Sequence, residues 1–419
     1  MKKNNYLDQL GKKSLIASSS IVNLTEKQKN KALNDYILEI RKNKKNILKA
    51  NALDIKKAKS KNIKDNIIER SILNNDRIES IIKSIKEVIK LKDPTKKIIS
   101  SWKRPNGLTI QRVTMPIGVI GVIYEARPNV TADISILCFK SGNCAILRGG
   151  TEAFYSNTIL SNLFRKILKK NKINPDCIQL INKTSRDHVD YLLSSMRSYI
   201  DVIVPRGGKG LVKKVLDLSK VPVIGHLEGL CHTYIDSNAK LDMAKKITLN
   251  AKLRRTSICG ATETLLVHKK VLQTHLLPIL NLLHKNNCKI VGDKLVKKYF
   301  PLATLAKEKD WRTEYLDSII SVKIVNSIDD AISHIKKYGT NHTESIVTAN
   351  KKNAQKFLNE ITSSIVMHNA STQFADGYEF GLGAEVGIST NKLHPRGPVG
   401  LEQLTSYKYI VKGNGQTRA

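Results

Sequence analysis

The stretch GVIGVIYEARPNVTADISILCFKSGNCAILRGG, residues 118–150, decides the fold of this 419-residue chain. Ile117 to Tyr124 is an apolar, β-branched run, the pattern of a strand buried on both faces of a parallel sheet. It ends in the polar turn Glu125–Asn129. Residues 133–143, DISILCFKSGN, then read as a short amphipathic helix. CAILRGG, residues 144–150, is a second buried strand that stops at two glycines. Residues 199–218, YIDVIVPRGGKGLVKKVLDL, repeat the order of strand, glycine turn and helix. Strands that alternate with helices in this way predict a doubly wound α/β domain. Ligands of such domains collect outside the carboxyl ends of the strands.

Upstream, Thr25 to about Asp93 is helical in pattern. Thr25 and Gln28 form a capping box. Leu33, Tyr36, Ile37 and Ile40, and later Ile82, Ile85 and Ile89, recur at helix spacing. These residues read as two or more long surface helices, closed by Asp93-Pro94. Downstream of Val221 a second α/β pattern begins. PVIGHLEGLCHTYID (222–236) reads as a strand with a Gly/His insertion, and residues 239–253 as a helix. ETLLVH, SVKIV, ESIVT and SSIVMHN are further strands. A glycine-rich loop and a terminal strand, Lys408 to Val411, close the chain.

The formal net charge is +35, from 71 Lys and Arg against 36 Asp and Glu. The excess is spread along the chain and travels with Asn and Ile, as codon bias toward A and T produces. Aromatic residues make up 5%, too few for base-stacking surfaces, so no nucleic-acid partner is expected. No run of 18 apolar residues occurs, and none is expected to cross a membrane. The basic N-terminal residues lack a continuous apolar stretch, so no secretory leader is expected. Six cysteines occur without a CxxC pair. The spacing supports neither a metal site nor a disulfide scaffold, and fits a reducing cytoplasm.

Cys259 differs from the other cysteines in its setting. It follows a helix, in a turn of small residues, with Arg254 and Arg255 upstream to favour the thiolate. Cys138 and Cys144 sit in or beside apolar elements and read as packing. Cys231 has His226 and His232 nearby in sequence, although strand alternation separates some of these side chains. The glycine turn of VPRGGKGLVKK (204–214) leads into a helix whose first N–H groups suit a phosphate. It matches neither a P-loop nor GxGxxG.

LNAKLRRTSICGATETLLVH, residues 249–268, resembles the active-site segment of the gamma-glutamyl phosphate reductase family, a branch of the aldehyde dehydrogenase superfamily. Residues 118–133, 142–157, 201–211, 221–236, 342–348 and 380–416 resemble further blocks of that family, in order. The resemblance runs from about Thr109 to Gln416. Gly260 stands where many members have Asn, and Pro395 where many have Ala.

The resemblance implies NADPH-dependent reduction of L-glutamyl 5-phosphate to L-glutamate 5-semialdehyde, the second step of proline biosynthesis, through a thioester on Cys259. A sibling non-hydrolytic dehydrogenase with another acyl donor is the alternative. Asn129 and the Cys259 backbone N–H are implied oxyanion donors, with Arg127 aligning nearly as well as Asn129. Arg148 and Thr151 are implied to meet the adenosine 2′-phosphate, Gly207 and Gly208 the pyrophosphate, and Glu385 the nicotinamide ribose. Arg255, His394 and Arg396 are the implied anion holders for the substrate. Hydrolytic relatives carry a water-activating Glu in a Glu-Leu-Gly-Gly stretch. Here the region reads GHLEGLCH, with His226 nearest that Glu and Glu228 close by.

The implied architecture is aldehyde-dehydrogenase-like. A cofactor domain takes residues 1–98 and 114–227, a catalytic domain 228–385, and an oligomerisation flap 99–113 and 400–415. The flap implies a homo-oligomer. The pathway implies a functional link to glutamate 5-kinase.

Overall fold

A computed structural model describes residues 4–63 and 65–418. They fall into two compact units. One holds the chain up to Gly225, Gly381–Ile388 and the chain from Pro398 onward. The other holds His226–Phe380 and Ser389–Gly397.

The first unit opens with five helices, α1 (Asn5–Ile21), α2 (Glu26–Lys42), α3 (Lys44–Ser60), α4 (Asp65–Ser71) and α5 (Asn75–Lys90). The Thr25–Gln28 capping box is present at the start of α2. The expected surface helices are a layer of the core instead. Leu33, Tyr36, Ile40, Ile82 and Ile85 join one apolar cluster with the strand residues Val119 and Ile146. The buried Tyr36 hydroxyl donates to the Leu160 carbonyl at 3.1 Å. α1 begins well before the first expected helix, at an Asn4 side chain that accepts from the Leu7 N–H.

The same unit continues through β1 (Ile98–Lys103), β2 (Thr109–Pro116), β3 (Val119–Tyr124), α6 (Pro128–Lys140), β4 (Cys144–Gly149) and α7 (Phe154–Lys170). β5 (Ile178–Leu180), α8 (Asp187–Ser195), β6 (Val202–Arg206) and α9 (Lys209–Leu218) complete it. β3 to β6 form a parallel sheet in the order β5-β4-β3-β6. The winding direction reverses between β3 and β6, which makes the carboxyl ends of those strands a topological switch point. α6 is buried on nearly every side from Val130 to Lys140, not amphipathic. It packs against β4 and also against α2, α5 and α7. β1, β2 and the terminal strand Thr405–Lys412 make a separate antiparallel sheet with β2 in the middle.

The second unit contains β7 (Cys231–Ile235), α10 (Leu241–Leu253), β8 (Thr262–His268), α11 (Leu277–Lys285), β9 (Lys289–Gly292), α12 (Lys294–Tyr299) and β10 (Thr304–Leu305). β11 (Ile319–Val325), α13 (Ile328–Tyr338), β12 (Thr343–Val347), α14 (Lys351–Glu360) and β13 (Ile365–His368) follow. The seven strands are parallel, in the order β10-β9-β11-β8-β7-β12-β13. The strand expected across residues 222–236 is short, because the Gly/His insertion before Cys231 is irregular. Residues 381–385, expected to end the catalytic segment, group with the first unit together with the residues through Ile388, where Val386 joins the core and donates to the Val399 carbonyl at 2.9 Å. Among the described residues no helix is long and apolar enough to cross a membrane.

Candidate active site

In the second unit, β8, β7 and β12 are adjacent strands. Three loops enter them at their amino ends and carry Cys259, His226 with Gly229, and His342. The general expectation of a site outside carboxyl ends does not describe this cluster.

All six cysteines are among the described residues. Five are buried and Cys259 is partly exposed. Burial pushes the Cys138, Cys144 and Cys231 thiols well up, and those of Cys177 and Cys288 up to about 12. A thiol so held is scarcely ionised at neutral pH and makes a poor nucleophile.

The Cys259 loop is held from several sides. Gly229 packs directly on it: a Cβ there would stand 2.3 Å from the Cys259 carbonyl oxygen and 2.7 Å from its Cβ. The Gly229 N–H donates to Glu314 Oε1 at 2.9 Å. The Cys231 thiol donates to the Cys259 carbonyl at 3.0 Å and lies 3.5 Å from His342 Nδ1. Gln373 staples the end of α10, donating to the Ala251 and Arg255 carbonyls and accepting from Arg254 Nε. Lys252 in α10 and Glu263 in β8 form a buried ion pair of 2.5 Å that joins the two elements flanking the loop. Burial nonetheless lifts the Glu263 carboxyl to about 7, with Lys252 pulling the other way. A Cβ at Gly260 would meet the Thr372 carbonyl at 3.1 Å.

One donor atom each from His226, Cys259 and His342 lies within 4.8 Å of the others. The two imidazole rings meet edge-on, 4.8 Å apart. Of the two candidates in GHLEGLCH, His226 is thus placed at the thiol. The partner of Cys231 is His342, 111 residues away, rather than its neighbours in sequence. His232 is fully buried and bonded through Nδ1 to Glu344 at 2.9 Å. His342 was missed at the sequence level, as nothing local to it signals a thiol.

Arg255 is exposed on the Cys259 loop, and His394 is exposed in the same unit. Arg396 turns back to donate to the Thr362 carbonyl, and its buried Nε has no partner.

The remaining expected residues belong to the first unit. Asn129 is exposed in the first turn of α6 and gives one amide N–H to Asp133 at 3.0 Å. Arg148 is nearly buried at the end of β4. Its guanidinium donates to the Gly149 and Thr184 carbonyls, and Nε is unpartnered. Thr151 is exposed beside it and donates to Glu152 at 3.2 Å. Gly207 and Gly208 stand at the switch point, where β6 passes into α9. The Glu125 carboxylate sits on that helix start, accepting from the Gly208 N–H at 2.9 Å. Glu385 lies 3.7 Å from Arg206.

This geometry can be set beside known proteins. No protein-family model matches the chain. A gamma-glutamyl phosphate reductase from Brucella suis biovar 1 is 50% identical over 413 residues, spanning 98% of this chain and 97% of the relative. The chain belongs to the gamma-glutamyl phosphate reductase family. A solved structure of that family, from Thermotoga maritima, superposes with a TM-score of 0.96 at 43% identity, covering 99% of this chain and 100% of that one. An engineered glycolyl-CoA reductase with bound NADP+ shares the fold at a TM-score of 0.67 and 16% identity, with 96% of each chain covered. The family's fold is therefore the aldehyde-dehydrogenase-like α/β architecture expected from the sequence.

Proposed function

We propose that the chain reduces L-glutamyl 5-phosphate to L-glutamate 5-semialdehyde and phosphate, with NADPH as reductant and Cys259 as nucleophile. The chain is an enzyme, an oxidoreductase of proline biosynthesis. The observation that carries the cysteine mechanism is that Cys259, alone among the six cysteines, is partly exposed, on a loop pinned by Gly229, Cys231 and Gln373.

Cys259 loses its proton and attacks the acyl carbon. The C–O bond to phosphate breaks, phosphate leaves, and a thioester remains. NADPH, when bound, supplies the hydride that reduces this thioester. The resulting thiohemiacetal collapses, returning the thiolate and releasing the aldehyde. In each tetrahedral species an oxyanion needs N–H donors. We assign that role to the Cys259 backbone N–H and to Asn129, whose amide keeps a second N–H beyond the one given to Asp133. Arg255, His394 and Arg396 are assigned to the substrate's phosphate and α-carboxylate.

The first unit suits a dinucleotide at its switch point. There the Glu125 carboxylate already rests on an N–H at the start of α9, so the turn accepts an anion. Gly207 and Gly208 would hold the pyrophosphate after Glu125 moves aside. Arg148, with an unpartnered buried Nε, and the exposed Thr151 would meet the 2′-phosphate, and Glu385 the ribose. The sheet of β1, β2 and the terminal strand exposes Ile98, Trp102, Tyr409 and Val411, which suits a homo-oligomer contact. The enzyme is assigned to the cytoplasm, with a functional link to glutamate 5-kinase.

The reverse reaction tests this reading. Semialdehyde and NADP+ should give steady turnover only with phosphate, or with arsenate, whose acyl ester falls apart in water. Without either, one NADPH per active site should form before the enzyme stalls as a thioester visible by mass spectrometry. Steady reduction of NADP+ without phosphate, at a rate near that with it, would place the chain with the hydrolytic dehydrogenases.

A further inference from the structure

We propose that His226, Cys259 and His342 form a zinc site that holds the enzyme in a reversible inactive state. The donors are one thiol sulfur and two imidazole nitrogens, all within 4.8 Å of one another. Such a set suits a borderline-soft ion that prefers sulfur and nitrogen, and it does not suit magnesium or calcium, which need oxygen. Zinc is bound tetrahedrally by these ligand types, and three protein donors leave its fourth position to water or an anion.

His342 provides the anchor. It is fully buried, and its Nε2 has no hydrogen-bond partner. Its Nδ1 lies 2.9 Å from the Thr343 hydroxyl. A proton on Nδ1 donated to that hydroxyl leaves the Nε2 lone pair for the metal, which is how outer partners set the tautomer of zinc-bound histidines. His226 and Cys259 are partly exposed on loops and are the mobile half of the set. Zinc–nitrogen and zinc–sulfur bonds put donors roughly 3.5 Å apart. Closing the cluster therefore needs movements on the order of 1 Å, within reach of side-chain torsions.

The sequence showed no metal motif because its ligands enter from three loops, at positions 226, 259 and 342, which only the order β8-β7-β12 brings together. Binding forms a Zn–S bond and releases the Cys259 thiol proton to solvent, with no change of oxidation state. The sulfur lone pair is then engaged and cannot attack an acyl phosphate. That inhibitory consequence rests on Cys259 being the nucleophile, whereas the zinc site itself does not.

The test uses the full chain, stripped of metal by a chelator and desalted. Zinc alone is titrated against a chromophoric chelator, with phosphate-dependent semialdehyde oxidation followed in parallel. The expected result is one zinc per chain, activity falling in proportion, Cys259 shielded from iodoacetamide, and full recovery with EDTA. Cobalt(II) in place of zinc should show a thiolate charge-transfer band that Cys259→Ser removes. His226→Ala and His342→Gln should each weaken zinc binding by more than about tenfold. His226 is partly exposed, so its variant still decides the matter if the buried His342 change prevents folding. Zinc binding that is absent, or unchanged in His226→Ala and Cys259→Ser, overturns the site. One zinc per chain with undiminished turnover overturns the inhibitory role and, with it, Cys259 as nucleophile.

Discussion

Gly229→Ala should damage catalysis through the backbone of Cys259, the proposed nucleophile, without touching any reactive group. Gly229 does not adopt a positive φ, so its backbone tolerates a side chain. The obstacle is space. The added Cβ would lie 2.3, 2.7 and 2.8 Å from the Cys259 carbonyl oxygen, Cβ and Cα, where separations under 3.0 Å do not occur. The Cys259 loop and the loop before β7 must therefore part by about 0.7 Å or more. Neither moves freely, since Glu314 holds the Gly229 N–H and the Cys231 thiol holds the Cys259 carbonyl. A displacement approaching 1 Å at a reacting atom costs about 100-fold in rate, so kcat should fall by about 10- to 100-fold. Overpacking of this kind costs about 1–3 kcal/mol of stability, a melting-temperature drop of a few degrees. The assay is kcat for phosphate-dependent semialdehyde oxidation, read beside the iodoacetamide rate at Cys259 and a thermal melt. Wild-type kcat and alkylation rate in the folded variant would refute the packing argument.

Cys259→Ala should abolish turnover while changing stability by less than about 1 kcal/mol, and Cys259→Ser should be nearly inert because an alcohol is far less ionised than a thiol; substantial turnover by the Ala variant would end the thioester mechanism. Glu125→Ala removes the carboxylate from the start of α9, so cofactor affinity should rise by up to about fivefold. Unchanged or weaker binding in a fluorescence titration would move the pyrophosphate elsewhere. Lys252→Met leaves Glu263 buried without its partner and should cost about 3–5 kcal/mol above about pH 7, where the paired carboxyl is ionised. The pH signature has a definite sign. Glu263 ordinarily titrates at 4.5 and is lifted to about 7 in the fold, so the folded chain keeps a proton that the unfolded chain has released. Its contribution is full below 4.5 and is lost as pH rises to 7. Without Lys252 the loss should extend above that window, and parallel melting profiles from pH 5 to 9 for the two proteins would contradict the assignment.

How much could be read without coordinates differs between elements. The strands β3 and β4 and the capping box of α2 follow from local pattern, because burial and capping act over a few residues. The helical layer was legible as helix but not as core. Periodicity shows that Leu33 and Tyr36 share a face, yet not that the face meets the sheet. α6 failed for a related reason. Its burial on all sides comes from neighbours on several other elements, which a helix's own spacing does not record.

The sequence by itself determined the α/β alternation, and its resemblance to one family pointed to Cys259 as the thiol of interest. Both are carried by residues close together in the chain. Tertiary structure alone decided what surrounds that thiol. Parallel strands bring distant loops to the same end of a sheet, and the order β8-β7-β12 sets Cys259, His226 and His342 within 4.8 Å of one another. Pairing across 111 residues, as between Cys231 and His342, depends on strand order and packing. No local periodicity encodes it, because the loops that meet have no sequence pattern in common and are joined only by the sheet between them.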